Sequence, residues 1–229
     1  MDGSLLLMQP AKYLDRLSLS VDFAKLVDKL LVLTGTPSEI HEVFCRTGEL
    51  GHHFLQRNVD WRGIDLCPQM IACAKEKHGN LVEHKECFGH ASVTTLIGWF
   101  APLSIIEPPR LPSFCQQICQ SLGAHGRAYI QQWYFPDEAR QGYSVMNVYD
   151  GDDGKIVRAA VPRIKSQQAH FDFEWMVAKP NQKIIRETTN EVRYLHTKEQ
   201  IIAAFSPFQC SLVEQDGLRF WRIQNINRI

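Results

Sequence analysis

Residues 40–51, IHEVFCRTGELG, and residues 59–78, VDWRGIDLCPQMIACAKEKH, decide the fold. The first stretch runs from an expected strand over 39–45 into a turn at Gly48 and then a helix through about Arg57. The second runs from a strand over 59–65 into a helix with Pro68 in its first turn, a position where the missing amide has no helical partner to lose. Gly48 and Asp65 stand seventeen residues apart, each after an expected strand and before an expected helix. In doubly wound sheets a glycine-rich turn after the first strand lets backbone amides approach a nucleotide. An acidic residue ending the second strand accepts hydrogen bonds from the two ribose hydroxyls.

Outward from this centre the alternation continues. Phe23, Leu26, Val27, Leu30 and Leu31 fall at helical spacing before Gly35 and Pro37, which predicts a helix over 21–33. Strands are expected over 80–87 and 91–98, a proline-rich loop over 101–112, a helix over 113–122 and a fifth strand over 126–133. Beyond Pro136 the pattern changes to β-rich runs over 143–150, 156–164, 169–178 and 183–194, with turns at Asp152-Asp153-Gly154 and Pro180-Asn181. Thr197 and Gln200 have capping-box spacing ahead of a helix carrying Ile201, Ile202 and Phe205. Runs at 208–214 and 217–224 complete the sheet. The expected architecture is α/β: a doubly wound, mostly parallel, Rossmann-like seven-stranded sheet with an antiparallel β-rich insertion over its ligand face. Residues 1–229 form one domain, and 137–194 form the insertion, acting as a lid or as a dimerisation surface that would make a homodimer.

The chain has 229 residues, with 25 basic and 25 acidic side chains. That cancelled charge argues against nucleic acid or an anionic membrane as partner, since both select for a basic face. MDGSLLLMQP has no basic segment ahead of its short apolar run, so it does not read as a signal peptide, and no stretch is long enough to span a membrane. A cytoplasmic location is expected. The seven cysteines follow no framework spacing. Cys115 and Cys119 share a helix face without a second ligand pair, so they read as buried reduced thiols and no metal is expected.

The 40–51 stretch resembles the first motif of the class I S-adenosylmethionine (SAM) methyltransferases, commonly VLELGCGTGELG; Glu42, Cys45, Thr47, Gly48, Glu49, Leu50 and Gly51 match. GIDLCPQMIACAKEKH (63–78) is similar to the family's GIDLSPEMLARAREKH, and LGAHGRAYIQQWYFP (122–136) to its LxPGGxLVxEpWxxP. AKYLDRLSLSVDFAKLVDKLL (11–31) and VRYLHTKEQIIAAF (192–205) resemble segments of the aminosugar N,N-dimethyltransferases. The resemblance implies SAM as cofactor, held by Tyr13, Glu42, Cys45, Thr47, Gly48, Asp65, Leu66, Met70, Glu86 and Cys87. It implies N- or O-methylation of a small molecule, such as a natural-product intermediate.

Two glycines of that motif are replaced, by Phe44 and Arg46. Side chains there would intrude on the volume of the methionine part of SAM, or require a reshaped loop. Arg46, Trp99, Phe100, Trp133 and Tyr134 are the candidate substrate-binding residues, since aromatic clusters follow the fourth and fifth strands where open α/β sheets bind ligands. Tyr13 or His125 is the candidate catalytic base, with His90 and His196 also near expected strand ends. Two rival readings use the same scaffold: a SAM-independent cyclisation or elimination, or a non-catalytic partner of an active homologue.

Overall fold

The computed structural model describes residues 11–89 and 93–225. Two short helices come first, α1 (Ala11–Ser18) and α2 (Phe23–Thr34). Alternation follows: β1 (Glu39–Val43), α3 (Glu49–Leu55), β2 (Asp60–Asp65), α4 (Pro68–His78), β3 (Val82–His84), β4 (Val93–Gly98), α5 (Leu111–Ser121) and β5 (Leu122–Gln131). Five strands come next: β6 (Val145–Gly151), β7 (Gly154–Ala160), β8 (Arg163–Lys165), β9 (Gln168–Ala178) and β10 (Ile185–Tyr194). The last elements are α6 (Lys198–Phe205), β11 (Gln209–Gln215) and β12 (Leu218–Gln224).

The main sheet has seven strands in the order β11-β12-β5-β4-β1-β2-β3. β1 pairs in parallel with β2 and β4, β2 with β3 and β4 with β5, whereas β12 runs antiparallel to β5 and to β11. Parallel strands buried on both faces need near-continuous apolar runs, and in β1 every residue after Glu39 is buried. On one face Leu26, Val27 and Leu30 of α2, Phe54 of α3 and Ile71 of α4 pack against Ile40 and Trp61. On the other, Phe114 and Ile118 of α5 and Phe205 of α6 pack against Ile64, Leu96 and Trp221. This is the doubly wound arrangement that the strand–helix alternation predicts.

The β-rich segment forms a second, antiparallel sheet in the order β10-β9-β7-β6, with β8 paired to β9. Alternate residues Phe171, Phe173, Trp175 and Val177 of β9 are buried, and they pack with Tyr13, Leu14 and Leu17 of α1. Helix α1 therefore belongs to the packing of this second sheet. The capping box is present: the Thr197 hydroxyl accepts from the Gln200 amide, and the Gln200 side chain accepts from the Thr197 amide.

Some element bounds differ from expectation. The third strand is only three residues long. Past it Glu86 pairs with Arg110 on the far side of the proline-rich loop. That loop holds short 3-10 turns at Pro102–Ile105 and Pro108–Arg110. The fifth strand starts four residues early, at Leu122, with a register irregularity opposite Val93 and Thr95.

Trp61 is the joint between α3 and the sheet. It is 1% exposed, and a methyl group at Gly51 would lie 2.6 Å from its ring. Gly51→Ala should destabilise the fold by about 1–3 kcal/mol through overpacking. The reading is a lower denaturant midpoint at unchanged slope; an unaltered midpoint would mean that α3 is not seated against Trp61.

Candidate active site

The loop leaving β1 alternates in backbone handedness. Phe44, Arg46 and Gly48 have φ of 55°, 56° and 76°, all in the left-handed region that favours glycine. Gly48 has a second reason to be glycine, because a Cβ there would meet the His78 ring at 2.7 Å. At the other two positions a left-handed residue costs roughly 1–2 kcal/mol. The loop is thus not reshaped to admit the two side chains; it keeps a glycine-type path and carries them.

One carboxylate holds that path. The Arg46 amide donates to Asp65 Oδ2 at 2.9 Å, and the Cys67 amide donates to Asp65 Oδ1 at 2.8 Å. Asp65 thereby ties the β1 loop to the first turn of α4. Burial raises its carboxyl above the ordinary range, while the two amides and the Arg46 charge act the other way.

A cavity of 420 Å³ opens between the carboxyl ends of the parallel strands and the inner face of the second sheet. Phe44, Arg46, Asp65, Leu66 and Met70 line it from the main-sheet side, joined by Phe100, Gln131, Trp133 and Tyr134 past β4 and β5. Tyr143, Arg158, Phe171, Phe173, Glu191 and Arg193 line it from the other side. Phe100 and Ala101 also have left-handed backbones, φ 65° and 53°, so four non-glycine residues of this kind meet at one cavity. Strain of this sort persists only where surrounding contacts over-determine it. The Phe44 ring meets Phe114 edge to face at 5.6 Å. The Arg46 guanidinium stacks 4.0 Å over the Phe100 ring. The Ala101 amide donates to Gln131 Oε1 at 2.9 Å.

Of the residues singled out from sequence, the cavity gathers Arg46, Asp65, Leu66, Met70, Phe100, Trp133 and Tyr134. The structure corrects the placement of others. Tyr13 is turned away, its ring 6.2 Å from Trp175, and it lines a separate surface cleft; its neighbour Leu14 is the α1 residue at the main cavity. His125 is exposed near the amino end of β5, six residues and about 20 Å of extended chain from the cavity end at Gln131. Trp99 stacks on Phe220 in the packing of the opposite face. Glu86 faces Arg110, and Cys87 is a half-buried thiol outside the lining. Thr47 is a structural latch: its hydroxyl donates to Asp15 Oδ1 at 2.7 Å, and Asp15 also pairs with Lys77. His196 is buried, with Nε2 at 3.0 and 2.9 Å from the Leu103 and Ile106 carbonyls. His90 lies outside the described residues.

Glu42, Cys45 and Gly48 lie behind the lining. Glu42 is fully buried; its Oε2 accepts from Trp61 Nε1 at 2.9 Å, and its Oε1 has no hydrogen-bond partner. Burial raises its carboxyl well above the ordinary range, and the charges of Glu49 and Asp65 push the same way. Burial likewise holds the Cys45 thiol protonated.

The antiparallel roof lies over the ligand face as expected from the sequence, but none of its cavity-lining side chains was singled out there. The Arg158 guanidinium donates to Asn147 Oδ1 at 2.8 Å, lies 4.2 Å over the Phe173 ring, and is pushed down to about 10 by burial, with the Arg46 and Arg193 charges adding to the shift. Arg193 pairs with Glu191 and reaches Ser104 Oγ at 3.1 Å. The alternation in β9 shows which residues share a face, but not that this face covers the ligand side.

No protein-family model matches the sequence, and none of the curated proteins compared with it matches either. Solved structures do match. DesVI of Streptomyces venezuelae superposes with a TM-score of 0.82 at 17% identity, over 94% of this chain and 97% of that one. The sugar N-methyltransferase KedS8 from Streptoalloteichus gives 0.80 at 18% identity, over 98% and 96%. CalS10, an amino pentose methyltransferase from Micromonospora echinaspora with SAM bound, gives 0.75 at 17% identity, over 98% and 100%. The fold is that of the small-molecule SAM-dependent methyltransferases. Within that fold the antiparallel sheet and α1 are part of the shared architecture, since the superpositions span nearly the whole chain. Among the described residues no helix is long and apolar enough to cross a membrane.

The buried acid behind the loop gives a pH prediction. Glu42's folded-state pKa is raised above its ordinary value near 4.5. Its contribution to stability is therefore full below that value and is lost as pH rises through the raised one. Melting temperature should decline as pH rises above about 5, and Glu42→Gln should flatten that decline. An identical slope in the variant would mean that Glu42 is not the group responsible.

Proposed function

We propose that this chain transfers the methyl group of SAM to a nitrogen of a small molecule held beneath the antiparallel sheet. The cavity is the observation that carries the reading. At 420 Å³ it falls within the usual range for small-ligand sites, and it lies outside the carboxyl ends of the strands, where doubly wound sheets bind nucleotides. Asp65 is at its edge as the carboxylate for the ribose hydroxyls, and Leu66 and Met70 supply apolar surface for the nucleoside. The aromatic wall of Trp133, Tyr134, Phe171 and Phe173 would then face the acceptor. Nitrogen as acceptor is supported by the similar folds of a sugar N-methyltransferase and an amino pentose methyltransferase.

SAM, held by Asp65, Leu66 and Met70, would supply an activated methyl group: the N–C bond would form as the C–S bond breaks, leaving a neutral thioether and an ammonium product that gives its proton to solvent. The protein aligns the two partners and keeps water out. The roof sheet suits the second task and the aromatic wall the first.

A SAM-independent reaction on the same scaffold is favoured by one feature, the Phe44 and Arg46 side chains reaching the cavity where the resembling motif has only backbone. Calorimetric titration separates the two. The methyltransferase reading expects SAM and S-adenosylhomocysteine to bind, and Asp65→Ala to weaken binding by about 1.5–3 kcal/mol, the scale of hydrogen bonds to a charged group. Because Asp65 also tethers the loop, the control is a 2′-deoxy analogue. It should bind the unaltered protein less tightly than the ribose form and lose that disadvantage in Asp65→Ala. A disadvantage that persists in the variant would contradict the ribose role.

A further inference from the structure

Behind the loop lies a carboxylate pair with unfilled hydrogen-bonding capacity. Glu42 is 0% exposed with Oε1 unpartnered, and Glu49 is 7% exposed with neither oxygen accepting a hydrogen bond. Burying carboxylates in this way is costly without a counter-charge. Arg46 provides one: its Nη2 lies 3.6 Å from Glu49 Oε1, and its charge also opposes the shifts at Glu42 and Asp65. That contact is long for an ion pair and makes no hydrogen bond, and the other side of the guanidinium rests on Phe100 in the open cavity. The Arg46 backbone is held separately, through its amide and Asp65. The side chain can therefore leave without unmaking the loop.

We propose that Arg46 is a displaceable counter-cation, occupying the place beside the buried Glu49 carboxylate that the ammonium group of SAM's zwitterionic methionine end would take. The inference rests on the methyl-donor reading above and deepens it by making Arg46 the residue that sets which adenosine ligands bind. A ligand whose arm carries an ammonium group must displace Arg46. A ligand without one, such as 5′-methylthioadenosine, leaves it in place.

The test is calorimetric titration of SAM, S-adenosylhomocysteine and 5′-methylthioadenosine into the unaltered protein and into Arg46→Gly, Arg46→Gln and Arg46→Lys. Glycine suits a φ of 56°, so the first variant relieves strain rather than threatening the fold. The Gly and Gln variants should bind the two amino-acid ligands roughly tenfold more tightly, with 5′-methylthioadenosine shifted less than about threefold. The Lys variant, which keeps the charge, should stay with the unaltered protein. Weaker binding of SAM in the Gly and Gln variants would overturn the proposal, since Arg46 would then be a ligand of the cofactor. An equal gain for all three ligands would also overturn it, pointing to bulk rather than charge. If none of the ligands binds any of the four proteins, the methyl-donor reading itself fails and this inference falls with it.

Discussion

Asp65 joins two chain segments through a single buried carboxylate, and the ligand side of the molecule is organised around that join. One oxygen takes the Arg46 amide of the β1 loop and the other takes the Cys67 amide at the start of α4. Each bond is charge-assisted, a class worth more than a neutral amide–carbonyl pair. Together they stabilise a loop whose backbone two side chains disfavour. The cavity edge, the seat of α4 and the position of Arg46 all follow from this contact.

The loop shows how a backbone path outlasts the residues that suit it best. Left-handed φ at Phe44 and Arg46 is strained, and the strain is offset on each side of the sheet. Phe44 enters the packing around Phe114, and Arg46 lies flat on Phe100. The second sheet completes the enclosure through Arg158, Arg193 and Glu191, which bring charge to an otherwise aromatic roof. The cavity thus has carboxylates behind its floor and two guanidinium groups with one carboxylate in its roof. A cationic methyl donor and its acceptor would meet between them.

The main sheet was legible in the sequence because parallel strands leave continuous apolar runs and each strand–helix turn is marked by Gly48, Asp65 or a proline. Arg46, Asp65, Phe100 and Trp133 were legible as residues of the ligand side because each follows the carboxyl end of a central strand or ends one, and all four line the cavity. Tyr13 was not, because the phase of a two-turn helix decides whether Tyr13 or Leu14 faces the cavity, and α1 takes its phase from packing on β9. His125 was misplaced because it stands at the amino end of the fifth strand, whereas the cavity lies past the carboxyl end at Gln131. At the strand exit, Trp99 and Phe100 pack against the same core cluster, yet only Phe100 reaches the cavity, which sequence alone does not assign. The roof was expected over the ligand face, but its inward side chains were hidden for a different reason. Its strands were visible, but pairing between segments far apart in the chain decides which face of β7, β9 and β10 covers the ligand side.

On this view the cavity, with its Asp65-held loop and its roof of antiparallel strands, is a working SAM site in spite of Phe44 and Arg46. A crystal structure of the protein with S-adenosylhomocysteine tests it most directly. The ligand should lie within the cavity, its ribose hydroxyls on Asp65, its amino group over Glu49, and the Arg46 guanidinium turned off Phe100. A cavity left empty at saturating ligand, or a ligand seated elsewhere with Arg46 unmoved, would contradict it.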